Sequence, residues 1–199
     1  MRWPPGYQRY VVAHSSAHRR RDADVFRRKK KKAETLRVLD PLAEGSGLGP
    51  STVTPACMTI YLAAEGPLPL VEWRAEAPGF YLADLETEND ELVRVQFTSP
   101  HVYCAGSHSR CGCGFNYGRI AKFERDPEEM ARKRHSLAAM SEYLAHEIGR
   151  VGEIELFACW DGDQAADPEI HRDLTPSSLL SERFFFYEKE LSVVREDAA

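Results

Sequence analysis

The sequence predicts an α+β domain: a mixed or mostly antiparallel β-sheet covered by one main amphipathic helix. Three observations carry that expectation. Short stretches rich in β-formers follow one another from Cys57, one long helical pattern starts at Asp126, and further β-rich stretches come after it. Strands on either side of one helix can bury both apolar faces in a two-layer arrangement. Ahead of them, residues 1–56 read as a disordered basic leader, which leaves 57–199 as a single α+β domain.

The elements follow in order. CMTIYLAA (Cys57–Ala64) is a strand by its β-branched and aromatic content. The next stretch carries Pro67 and Pro69, which suit extended chain but not a central ladder. GFYLADL (Gly79–Leu85) and ELVRVQF (Glu91–Phe97) are short strand candidates, the second ambiguous because it follows the helix-friendly ETENDE. HVYCAGS (His101–Ser107) is a strand that runs straight into a glycine loop.

Asp126 is a good N-cap, Pro127 fits the first helical position, and Glu128 and Glu129 complement the positive helix end. Leu137, Met140, Leu144 and Ile148 then form an apolar stripe. Arg132, Lys133, Arg134, Glu142 and Glu147 are expected on the wet side, and Gly149 and Gly152 at the stop. EIELFACW (Glu153–Trp160) alternates as a strand, and with His101–Ser107 it suggests a parallel pair joined by a helical crossover. RFFFYEKELSVV (Arg183–Val194) reads as the last and longest strand. Phe184, Phe185 and Phe186 cannot share one face, which implies cover on both sides. Trp73, Trp160, Tyr61, Tyr81 and Tyr103 read as core or core-edge aromatics.

Charge divides the chain. Residues 1–50 hold 12 Lys or Arg and 5 Asp or Glu, a net +7, while the remainder holds 14 and 26, a net −12. The runs Arg19–Arg21 and Arg27–Lys32 would repel themselves into disorder, or touch nucleic acid only nonspecifically through phosphates. They lack the interleaved aromatics that stack on bases. A mis-called start is a further reading, because patterned sequence begins near Met58. No apolar run reaches the roughly 18 residues of a membrane helix, and no h-region marks a secretory signal. These features predict a cytoplasmic protein whose five cysteines are thiols or ligands, with no disulfides.

The densest chemistry lies in GSHSRCGCGFNYG (Gly106–Gly118), with the spacing H-x2-C-x-C. Zinc held by thiolate and imidazole requires donors about 2.0–2.3 Å away, so the chain must curl tightly. Gly112 and Gly114 are expected to supply that curl through positive φ. His108, Cys111 and Cys113 are the local donors. A fourth could come from Cys104, Cys159, His101 or water, with Cys104 and Cys159 the preferred protein candidates.

The same atoms permit a thiol-dependent enzyme. Cys111 or Cys113 would be the nucleophile, His108 the base, and Asp161 or His171 would assist. A third reading is an interaction module in which the loop is only a structural turn. The acidic run WDGDQAADPEIHRD (Trp160–Asp173) offers carboxylates for a hard cation but fits no EF-hand, and a solvated connection is the preferred reading.

MTIYLAAEGPLPLVEW, PHVYCAGSHSRCGCGFNYG and ELFACWDGDQ together resemble a group of small bacterial proteins of no assigned function. The resemblance runs from about Cys57 to Val194 and is most specific at G-S-H-x-x-C-G-C-G-F. Members begin near Met58, which implies that the leader is foreign to the domain. The resemblance implies no substrate, cofactor or mechanism. If the leader is dispensable, residues 57–199 alone will unfold cooperatively with the same denaturant midpoint as the full chain, as followed by circular dichroism.

Overall fold

The structure, a computed structural model, describes residues 57–116, 126–182 and 184–197. The expectations placed on residues 1–56 lie outside the described residues. The strands are β1 (Met58–Ala64), β2 (Tyr81–Asp84), β3 (His101–Gly106), β4 (Ile154–Trp160), β5 (Ile170–Leu174) and β6 (Glu190–Val194). They form a six-stranded sheet in the order β2-β3-β1-β4-β6-β5, antiparallel throughout except for the parallel β5–β6 pair. With the helices α1 (Glu88–Glu91) and α2 (Pro127–Val151), this is an α+β fold with a mixed sheet and one main helix.

Helix α2 forms for the reasons its sequence supplies. The Asp126 carboxylate accepts from the Glu128 N–H, Pro127 opens the first turn, and Gly152 closes the last with φ 87°. Gly149, also expected at the stop, lies inside the helix. Leu137, Met140, Leu144 and Ile148 are all buried and pack against Met58, Ile60 and Leu62 of β1. The opposite sheet face buries Tyr61, Ala63, Phe157 and Cys159 beneath Val93 and Phe97. β1 is therefore covered on both sides, which explains its nearly continuous apolar sequence.

Several expectations are corrected. β3 and β4 do run parallel, but they are not partners: β1 lies between them and pairs antiparallel with both. Residues 91–97 are not a strand. The Thr87 side chain accepts from the Asp90 N–H while the Asp90 carboxylate accepts from the Thr87 N–H, and this capping box starts α1. A 3-10 helix at Leu92–Gln96 continues it.

The last strand is short, because Lys189 sits at φ 53° and turns the chain just before Glu190. Within the expected Arg183–Val194 strand, Phe184 and Phe186 nonetheless point into the core with rings 4.9 Å apart, while Phe185 packs on Tyr187. The acidic connection is interrupted by β5, whose parallel pairing with β6 the sequence does not announce. Glu147 is not on the wet side: it is buried, with its carboxylate accepting from Arg150 and paired to His146. No described helix is long and apolar enough to cross a membrane.

Candidate metal centre

Antiparallel pairing places the start of β1 beside the end of β3, where the glycine loop begins. The Ser107 hydroxyl donates to the Cys111 carbonyl at 2.6 Å, and the Ser107 N–H donates to the same oxygen at 3.1 Å. These bonds close a tight turn, with Arg110 at its corner in the left-handed region at φ 62°. The strained corner is braced from outside. The Arg110 guanidinium lies 3.9 Å over the Trp73 ring, and the Tyr81 hydroxyl donates to the Arg110 carbonyl. From Cys111, in extended conformation, the chain enters a 3-10 helix at Gly112–Phe115.

Gly112 and Gly114 do not serve the purpose read from the sequence. Among the described glycines only Gly152 and Gly162 have positive φ. The two loop glycines are needed for close approach instead. A Cβ on Gly112 would stand 2.8 Å from Ile60 and 2.9 Å from the Met58 carbonyl oxygen. One on Gly114 would meet the Ser107 hydroxyl at 2.1 Å and the His108 ring at 2.8 Å. The missing side chain at Gly112 lets the loop lie directly on β1, and the one at Gly114 lets the loop fold tightly on its own Ser107 and His108.

That contact assembles the thiols. The Met58 N–H donates to the Cys113 sulfur at 3.3 Å, and the sulfurs of Cys57, Cys111 and Cys113 all lie within 4.8 Å of one another. Three thiolates around a tetrahedral ion with about 2.3 Å bonds would stand roughly 3.8 Å apart, so the group could hold a metal after small rotations. Cys57 is exposed and the other two are half-buried, leaving one side of the cluster toward solvent.

Of the remaining sequence candidates, all but Asp161 lie elsewhere. His108 is buried beside α2. Its Nε2 meets a Glu129 carboxylate oxygen at 3.1 Å, and its Nδ1 lies 3.0 Å from the Ser136 hydroxyl. Because the carboxylate only accepts, Nε2 carries a proton, and neither ring nitrogen is turned to the sulfurs. The Ser136–His108–Glu129 series resembles a hydrolytic triad, but Ser136 is fully buried and also bonds the Arg132 carbonyl. It anchors the loop to the helix, aided by Lys133 donating to the Cys113 carbonyl. Burial pushes the Glu129 carboxyl up, but bonds from Arg132 and His108 outweigh it and hold the group below its ordinary value.

Cys104 and Cys159 belong to the opposite sheet face, within or against the Tyr61–Phe157 cluster. Burial pushes their thiols up to about 12 and about 11, so both remain neutral. His101 pairs with Ala64 at the far end of β1. Asp161 borders the cluster, its N–H donating to the Cys57 carbonyl at 2.9 Å, while its carboxylate accepts from Asn89 and Gln164. His171 sits on edge strand β5, three strand spacings or roughly 14 Å across the sheet from β1. Cys57 is the member that spacing in the loop could not find. Its signal was positional: β1 pairs antiparallel with β3, so the residue before β1 must lie beside the loop that leaves β3.

Proton sharing within the cluster is unequal. The Cys113 thiol donates to the Cys111 sulfur, which outweighs burial, and Ser109 and Cys57 add further bonds, so the Cys111 thiol is held well below its usual range. Cys113 is raised by that same bond and by burial, while Cys57 is raised chiefly by the negative charge on Cys111. Cys111 is therefore the thiol of the three that gives up its proton most readily. No family model, curated protein or solved structure matches the chain.

The glycine contacts generate a paired expectation. Gly114→Ala should lower stability by about 1–3 kcal/mol through overpacking. Gly149→Ala, with nothing within 4 Å of the added methyl, should raise it by about 0.5–1 kcal/mol because helical glycine is entropically costly. Urea midpoints of the two variants check both signs.

Proposed function

We propose that the protein is a metal-binding protein in which Cys57, Cys111 and Cys113 hold a zinc ion as thiolates, with the fourth position open to solvent. The observation that carries this reading is the mutual approach of three sulfurs to within 4.8 Å from two segments far apart in sequence. A purely thiolate donor set suits zinc and other soft ions and disfavours magnesium or calcium. Three protein ligands with an accessible fourth position fit an ion that exchanges a ligand better than a closed structural site. Lys133 at the Cys113 carbonyl and Arg110 at the loop corner supply positive charge that offsets three thiolates around a divalent ion.

The test is metal analysis of tag-free protein. One equivalent of zinc is expected, lost on Cys57→Ser, Cys111→Ser or Cys113→Ser and kept on Cys104→Ser, Cys159→Ser and His108→Ala. Retention of zinc by all three cluster variants would refute the site.

A second reading, Cys111 as a nucleophile, is favoured by the hydrogen bonds converging on its sulfur. His108 would not be its base, since both ring nitrogens are engaged. In metal-free protein, Cys111 should alkylate fastest and do so at pH values below the ordinary thiol range, with Cys104 and Cys159 slowest. Mass mapping of iodoacetamide-treated protein across pH checks this order.

A further inference from the structure

We propose that the cysteine cluster is also an oxidation site, at which Cys57 and Cys111 close a reversible disulfide that expels the bound metal. The disulfide follows from the geometry of the free thiols. The expulsion rests on the zinc reading of the preceding subsection.

Geometry selects one pair out of three. Cys111 and Cys113 are separated only by Gly112, whose backbone is pressed against Ile60 and Met58. The intervening chain has no room to pucker into the strained ring that such a short bridge demands. Cys113 lies within the 3-10 helix, packs against the apolar core, and accepts the Met58 N–H at 3.3 Å. Bridging it to Cys57 would break that bond and pull the turn off β1. Cys111 is outside the 3-10 helix, in extended backbone, and its sulfur has the Ser109 hydroxyl at 3.5 Å as its nearest partner beyond the cluster. Cys57 is exposed and lies just before β1. Closing a separation of at most 4.8 Å to a bond of about 2.05 Å moves two side chains at the solvent edge and leaves the core alone. Cys104 and Cys159, on the other sheet face, cannot intervene.

The chemistry balances with hydrogen peroxide as oxidant. The Cys111 thiolate attacks the peroxide oxygen, an S–O bond forms as the O–O bond breaks, and the departing hydroxide takes a proton to become water. The Cys57 sulfur then attacks the sulfenic acid. An S–S bond forms, the S–O bond breaks, and the hydroxyl leaves as water with the Cys57 proton. The two sulfurs together lose two electrons to the peroxide. A disulfide no longer offers thiolate donors, so Cys113 alone faces the ion and the ion departs. A dithiol reductant restores both thiols.

The experiment uses the full chain, reduced, in zinc-loaded and metal-free forms, treated with hydrogen peroxide. Peptide mapping without reduction reads the bridge, and a chromophoric chelator reads free zinc. Expected are a Cys57–Cys111 linked peptide in both forms and one equivalent of zinc released per bridge. Dithiothreitol should reverse the bridge and restore zinc binding, and Cys57→Ser should abolish the linked peptide. A Cys111–Cys113 or Cys57–Cys113 bridge, or over-oxidation of Cys111 without any bridge, overturns the disulfide proposal. Zinc that stays on the bridged protein overturns the coupling. A Cys57–Cys111 bridge in a protein that binds no zinc when reduced refutes the metal reading and leaves the oxidation site standing.

Discussion

The arrangement of this domain depends on one steric allowance, the absence of a side chain where the loop after β3 crosses the start of β1. Gly112 sits against the Met58 carbonyl and Ile60 with no space for a methyl group, and within the loop Gly114 sits closer still to Ser107. Because the two backbones touch, the Met58 N–H finds an acceptor in Cys113, and Cys57, one residue earlier, joins the loop thiols. Phe115 follows directly into the core, where its ring meets Phe80 and Phe186. A bulkier residue at Gly112 would part the loop from β1 and separate the sulfurs, and one at Gly114 would force open the loop that carries two of them.

Polar groups fix the loop from its other side. His108 is the residue most easily mistaken for part of the chemistry, standing three positions before Cys111. Its backbone N–H and Nδ1 both address Ser136, and its Nε2 addresses Glu129, so one residue ties the loop to two points about two helical turns apart on α2. A histidine with every polar atom satisfied inside a fold is an anchor, whereas a ligand or a base needs a nitrogen to spare. The Arg110–Trp73 stack and the Tyr81 hydroxyl do comparable service on the exposed flank.

Much of the fold was legible because its elements satisfy local rules. Four of the six strands and the whole of α2 follow from apolar patterning, the Asp126 cap and the Gly152 stop. What escaped was decided by contacts remote in sequence or by capping. A β-rich string at 91–97 became helical once Thr87 and Asp90 capped each other. β5 carries too little apolar pattern to be read locally and exists by pairing with β6. In the site, the spacing of Cys111 and Cys113 was visible, but periodicity said nothing about which sheet face Cys104 and Cys159 would take. The register of β1 against β3 and β4 decided that, and it turned both thiols away from the loop.

The central position of β1 has a consequence for the order in which the molecule comes together. Its ladder with β4 joins residues about 100 positions apart, as the Thr59–Cys159 contact shows, with all of α2 in between. Pairings that span so much chain bear a large loop-closure cost and slow folding. A nascent polypeptide that has already exposed Cys57, Cys111 and Cys113 still lacks the partner strand that fences β1 on its far side. The trio of sulfurs itself rests on the nearer β1–β3 pairing, within residues 57–113, so its assembly does not depend on that distant ladder.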